Sequence, residues 1–247
     1  MKAFSTMLKT EIKLAIRGMD MIIFAQIMPL VVTVIIGIIF GTKPAFEGAG
    51  YTFFAQSFGA LTTIGICASG VMGLPLVIAD YRHKGILKRF KVTPVSPSMI
   101  LFVQVTAHFI QSVLSALLVY AVSAAFFGFR MQGSVLAFIG AFMLVLISIY
   151  SIGVLIAGVS PNTKVSNILC SVFYFPMLLF SGATLPYEVM PPVLQRVADV
   201  MPLTQGIKLL KATSLGLPIE TTAIPLVVMA LIAVICIVSS VLFFRWE

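Results

Sequence analysis

Charged residues are scarce in this chain. Asp, Glu, Lys and Arg make up 10% of its 247 residues, against about 25% in a soluble domain. The deficit falls mostly on acids, eight against sixteen Lys and Arg, for a formal net charge of +8. With 60% hydrophobic residues and a mean hydropathy of +1.12, so little charge excludes a water-soluble domain and points to an integral membrane protein. The acids Glu47, Asp80, Glu188 and Asp199 are scattered, so they offer no carboxylate pair for acid–base catalysis. His83 and His108 have no carboxylate or cysteine at metal-ligand spacing. Cys67, Cys170 and Cys236 lie far apart in apolar runs and read as small buried hydrophobes, not as a metal site or a disulfide framework. No G-x-x-x-x-G-K-S/T, G-x-S-x-G or H-E-x-x-H occurs, which leaves the chain without a P-loop or a hydrolytic centre of its own.

Long apolar runs are what the chain does have. A helical span takes about 20 apolar residues, and charge-free windows of that order occur at 21–41, 53–79, 100–127, 133–159, 167–183 and 222–244. They predict an all-α integral membrane protein with six transmembrane helices in a single domain over 1–247. No Lys, Arg, Asp or Glu falls within a window, which argues against a proton pump or an ion-coupled carrier. The first run is too long for the apolar core of a cleaved signal and reads as a permanent span.

The basic residues fix an orientation. With the N-terminus inside, the inner side collects Lys2, Lys9, Lys13, Arg17, five residues of the 80–98 loop, Lys164 and Arg245. The outer side keeps only Lys43, Arg130, Arg196, Lys208 and Lys211. The positive-inside rule then predicts both termini in the cytoplasm. Basic residues so placed face the anionic lipid of the inner leaflet, at about 1 kcal/mol each, or a cytosolic partner, and not nucleic acid. Phe4, Leu8, Ile12 and Ile16 recur every four residues, as do Lys9, Lys13 and Arg17. That pattern predicts an amphipathic interfacial helix over 3–18; the alternative is an unstructured basic tail.

Within the spans, Gly65, Ser69 and Gly73 form a small-residue stripe that lets helices approach closely, either inside one chain or between subunits. Pro75 and Pro176 should kink the second and fifth spans. Phe58, Thr62, Thr63, Phe173, Tyr174 and Phe180 supply aromatic and weakly polar surface in those spans. Such surface suits a route for an amphiphilic cargo, or else plain packing and lipid contact. Between the last two spans, 184–218 carries Pro186, Pro191, Pro192, Pro202 and Pro218. Two short helical patterns lie there: Val193, Leu194, Val197 and Val200 behind a Pro-Pro start, then Ile207 and Leu210 behind Thr204. Apolar faces on the outer side predict a re-entrant helical hairpin.

The densest positive cluster, Arg82, Lys84, Lys88, Arg89 and Lys91, lies between the second and third spans. Tyr81, Leu87 and Phe90 add apolar contacts, Gly85 a break, and Thr93-Pro94 a stop. That mixture suits docking into a protein groove. Six spans without chemistry fit a channel, a scaffold, or the membrane half of something powered elsewhere, and this loop favours the third.

Two stretches resemble one family. DYRHKGILKRFKVTPVS is similar to the first cytoplasmic loop of the permeases of type-2 ABC exporters, which begins acidic-x-x-x-x-Gly and ends Thr-Pro. LLFSGATLPYEVMPPVLQRVADVMPLTQGIKLL is similar to that family's fifth span, Ser-Gly turn, Pro-rich outer hairpin and Pro-Leu-Thr helix entry. Asp80 stands where many members have Glu, and Ile86 where many have Thr. The resemblance implies a permease in a bacterial plasma membrane, paired with a second permease copy as a homodimer or heterodimer. It also implies a cytosolic ABC ATPase dimer that holds ATP and Mg, with no cofactor or metal on this chain. The 80–98 loop would contain the coupling helix, with Asp80, Tyr81, Gly85, Leu87, Lys88 and Phe90 as the coupling residues. Spans one, two and five would surround the route, and Leu185, Pro186 and Pro202 would belong to the outer gate. The expected function is export of a drug, antibiotic peptide or lipid. A glycan-exporter permease and a toxin-immunity or sensor subunit are the rival readings.

Overall fold

A computed structural model describes residues 2–18, 22–41, 43–45, 50–87, 96–184, 187 and 190–243. The fold is all-α, and among the described residues six helices are long and apolar enough to cross a membrane. We number the helices α1 (Lys2–Arg17), α2 (Ile23–Phe40), α3 (Phe53–His83), α4 (Pro97–Phe127), α5 (Val135–Val159), α6 (Thr163–Phe180), α7 (Pro192–Val200), α8 (Pro202–Leu215) and α9 (Ile219–Phe243).

Local chemistry sets most helix ends. Thr52, Ser96, Ser134 and Asn162 each accept a hydrogen bond from the backbone N–H three residues on, capping α3, α4, α5 and α6. Gly128 and Gly216 end α4 and α8 in the left-handed region, φ 61° and 68°, where a side chain is disfavoured. The second span runs further than its charge-free window, because Asp80–His83 continue α3 by one more turn.

Two spans carry a turn of π-helix, Ile23–Ile27 in α2 and Ala68–Gly73 in α3, and each ends just before the residue that precedes a proline. Pro29 and Pro75 have no N–H to return to residues 25 and 71, and their rings crowd those carbonyls. The helices answer by widening: Met28 N–H bonds Ile23 O, and Leu74 N–H bonds Ser69 O. The kink expected at Pro75 is therefore taken up as a π turn, while α6 runs through Pro176 as unbroken α-helix.

Helix α3 is the centre of the bundle, with α2, α4, α5, α6 and α8 packed around it and α9 beyond, against α5 and α8. Its hydroxyls survive burial by bonding back to their own helix: Ser57 to Phe53 O (2.9 Å), Thr62 to Phe58 O (2.9 Å) and Thr63 to Ala60 O (2.7 Å). Close approaches use glycine. A Cβ at Gly153 of α5 would run into the carbonyl of Gly70, and one at Gly59 into the backbone of α8. Helix α8 is buried along most of its length, wedged among α3, α5 and α9. Helix α7, by contrast, leaves Val193, Val197 and Val200 exposed. Helix α1 is amphipathic, as its periodicity predicts, and rests on α4, with the Phe4 and Phe102 rings 5.8 Å apart.

Candidate functional site

The described ones among the predicted coupling residues fall at the His83 end of α3 and in the turn after it, and they are less free than their sequence suggests. Asp80 pairs with Lys84 at 2.7 Å, an exposed i,i+4 contact. Tyr81 is half-buried and its hydroxyl donates to Glu11 Oε1 of α1 at 2.6 Å. Gly85 has φ 67°, and a Cβ there would meet nothing within 4 Å, so glycine is needed for its backbone angle and not for space. Leu87 is 4% exposed and anchors the turn. Lys88 and Phe90 lie outside the described residues. His83 and Lys84 are exposed and Ile86 half-exposed, and these carry the accessible surface of the turn.

Arg82 is the residue that sequence reasoning passed over, reading it only as a topology charge. It is buried, and its guanidinium donates to the carbonyls of Ala157, at 3.0 Å, and Ser160. Those carbonyls belong to the end of α5, whose last turn has no basic residue of its own. Helix C-termini present unsatisfied carbonyls that attract cations, and here α3 supplies the cation. The available signal was a basic residue continuing the register of a buried span, together with a span ending in Gly158-Val159-Ser160 with no cap.

The small-residue stripe faces inward. A Cβ at Gly65 would strike the Ser115 side chain, and Gly73 is buried. Ser69 Oγ lies 3.2 Å from both Nδ1 and the carbonyl of His108, and 3.0 Å from the Tyr150 hydroxyl, which is 2.8 Å from Ser112 Oγ. The stripe serves packing within the chain, around a polar knot that ties the π turn of α3 to α4 and α5.

The six proposed route residues do not share one face. Phe58 stacks on Phe129 at 4.3 Å and touches Phe138 at 5.7 Å. It helps line an apolar groove of about 420 Å³ between α4 and α5, with Tyr120, Met131 and Phe142. Thr62 and Thr63 are buried in the bundle, Tyr174 is buried on α6, Phe180 is half-exposed and Phe173 points outward. Helix α6 instead exposes a lane of Ile168, Val172, Phe175 and Leu179. Of the outer-gate residues, Leu185 and Pro186 lie outside the described residues, and Pro202 begins α8.

A second cleft, of about 310 Å³, opens at the Phe53 end of α3. Gln56 and Ser57 of α3, Ser181 and Gly182 after α6, Tyr187, and Thr204, Lys208 and Lys211 of α8 line it.

The chain matches the ABC-2 type transporter family over residues 2–215. It is similar to nodulation protein J of Neorhizobium galegae, 28% identical over 95 residues, which cover 38% of this chain and 36% of that protein. It is also similar to nodulation protein J of Rhizobium leguminosarum bv. viciae, 27% identical over 95 residues, covering 38% and 37%. Both alignments span little more than a third of the relative's length.

Proposed function

The chain belongs to the ABC-2 type transporter family as a membrane permease subunit, and from that premise we propose that it exports an amphiphilic cargo by alternating access. The energy comes from a separate cytosolic ABC ATPase dimer, which holds ATP and Mg. The observation that carries this reading is the mooring of the inner end of α3. Arg82 bonds it to the end of α5, Tyr81 bonds it to α1, and Leu87 buries the turn that follows. A push on the loop is thus delivered at once to α1, α3 and α5.

The ATPase docks on His83, Lys84 and Ile86, beside Asp80, with Lys88 and Phe90 of the following sequence kept as coupling residues. A second copy of the chain, or a related permease, faces the exposed apolar lanes of α2 and α6. The cargo passes between the copies, along Phe173 and its neighbours, because Thr62 and Thr63 are closed inside one bundle and Phe58 is 1% exposed, at the floor of its groove. Drug, antibiotic peptide and lipid are the cargoes such an apolar lane would accept. Neither relative's name speaks of drug resistance, so the cargo class rests on that lane alone.

The test is a Lys84→Glu variant reconstituted with its ATPase. Lys84 is exposed, and its pair with Asp80 contributes at most about 0.5 kcal/mol to stability, so lost coupling would not be a folding effect. Transport and cargo-stimulated ATP hydrolysis should fall about tenfold, which corresponds to the roughly 1.4 kcal/mol of one charged contact. Normal coupling in an intact complex would remove Lys84 from the docking surface.

A further inference from the structure

The cleft at the Phe53 end of α3 lies at the opposite end of that helix from the coupling turn, and its lining is rich in polar groups. Thr204, Lys208 and Lys211 recur at i, i+4 and i+7, so one face of α8 looks onto it. Helix α8 is 14 residues long, and its N-cap, Met201, offers no side-chain bond to the first turn. The positive end of the helix therefore has no side-chain cap beside the cleft.

Thr204 supplies a second, independent sign. It is 1% exposed, it lines the cleft, and its Oγ1 has no hydrogen-bond partner among the described residues. Native proteins rarely leave a buried hydroxyl unsatisfied. Among the described residues a carboxylate beside these groups is Asp199, and it is already engaged. Its Oδ1 pairs with Lys208 at 2.6 Å and its Oδ2 accepts from the Tyr187 hydroxyl at 3.1 Å. Lys208 is held further by the Tyr187 ring, 4.7 Å from the centroid.

What the cleft offers is donors: the Lys208 and Lys211 ammonium groups, the Gln56 amide and the Thr204 hydroxyl. Such a set matches an oxyanion. The cleft also sits at the first turns of a spanning helix, on the same side of the bundle as the exposed valines of α7. That is the level at which lysines meet lipid phosphates.

We infer that this cleft binds a phosphate-type oxyanion, carried by the headgroup of an anionic phospholipid or by a soluble phosphate ester. The inference does not depend on the export reading.

The full chain in phosphatidylcholine nanodiscs tests it, with phosphatidylglycerol binding followed by native mass spectrometry and inorganic phosphate and glycerol 3-phosphate titrated separately. At least one of these anions should bind. Its affinity should fall about tenfold in Lys211→Gln and in Thr204→Val, the scale of one charge-assisted hydrogen bond. It should rise in Asp199→Asn, which releases Lys208. Thr204→Val keeps shape and Asp199 is exposed, so these two variants decide the matter even if Lys211→Gln fails to fold. Binding of phosphatidylglycerol alone identifies a lipid site, and displacement by glycerol 3-phosphate a headgroup site; both support the inference. Equal retention of phosphatidylcholine and phosphatidylglycerol with no phosphate binding overturns it, as does anion binding indifferent to all three substitutions.

Discussion

Helices α3 and α9 invert the expectation carried over from soluble proteins. The more apolar of the two is α9, with a mean hydropathy of 2.9 against 1.9, yet only 22% of its span is buried within the chain, against 83% for α3. In water the greasiest helix would sit at the centre. In a bilayer, lipid is as apolar as leucine, so apolarity gives no reason to leave the surface, and close packing with hydrogen bonding decides what goes inside. Helix α3 has what a centre needs: glycines for close approach, hydroxyls that bond their own helix, and a π turn that carries Ser69 to His108 and Tyr150. Helix α9 has what a lipid face needs and little else.

One identical substitution at both places should expose that difference most sharply. Ile64 of α3 is 1% exposed and Ile235 of α9 is 61% exposed. Ile64→Ala leaves a cavity that tight neighbours fill poorly and should cost about 2–5 kcal/mol. Ile235→Ala hands its volume to lipid chains and should stay within about 0.5 kcal/mol. Thermal melts of the two purified variants in one detergent measure the gap. Equal shifts would mean that another chain covers α9.

A smaller effect separates two kinds of obstacle within the core. At Gly153 a methyl group would meet the carbonyl of Gly70, which is backbone and has nowhere to go. At Gly70 it would meet the Tyr150 ring, a side chain that can turn. Gly153→Ala should therefore reach the upper end of the roughly 1–3 kcal/mol of overpacking, with Gly70→Ala nearer the lower end. The order of the two melting temperatures checks this, and a reversed order would mean that the Ser69 and Ser112 bonds to Tyr150 hold the ring more firmly than the backbone is held.

The same contrast explains what could be read from the sequence. Uninterrupted apolar windows announce spans whatever their neighbours, so all six were legible, as was the periodicity of α1. A span buried on every side has no polar face to betray its orientation. Nothing in the sequence therefore told that Phe58, Thr62 and Thr63 point into their own bundle, or that Ser69 faces α4 and α5. Proline announced a disturbance at residue 75 but not that a π turn would absorb it, because that choice depends on what Ser69 and Gly70 can reach. Basic residues near a span end carry a topology signal so strong that it hid the separate structural duty of Arg82.

Arg82 should give the smallest change in stability and the most informative change in behaviour. Arg82→Met keeps the length of the side chain while removing the donors to Ala157 and Ser160. Ala157 and Ser160 are buried, 0% and 1% exposed, so their carbonyls lose a partner at a cost of about 1–3 kcal/mol, but removing the buried charge also relieves its desolvation penalty and offsets much of that. The melting temperature should therefore shift by the equivalent of about 1 kcal/mol or less. If the arginine is what makes α3 and α5 move as one body, however, ATP hydrolysis in the reconstituted complex should lose its response to cargo while the complex stays assembled. Arg82→Lys, which keeps a cation at the end of α5 but not the planar fork, should restore part of that response. A methionine variant that transports normally would show that the mooring at this end of α3 is passive, and that the loop acts through the Tyr81–Glu11 contact with α1 or through the packing around Leu87 instead.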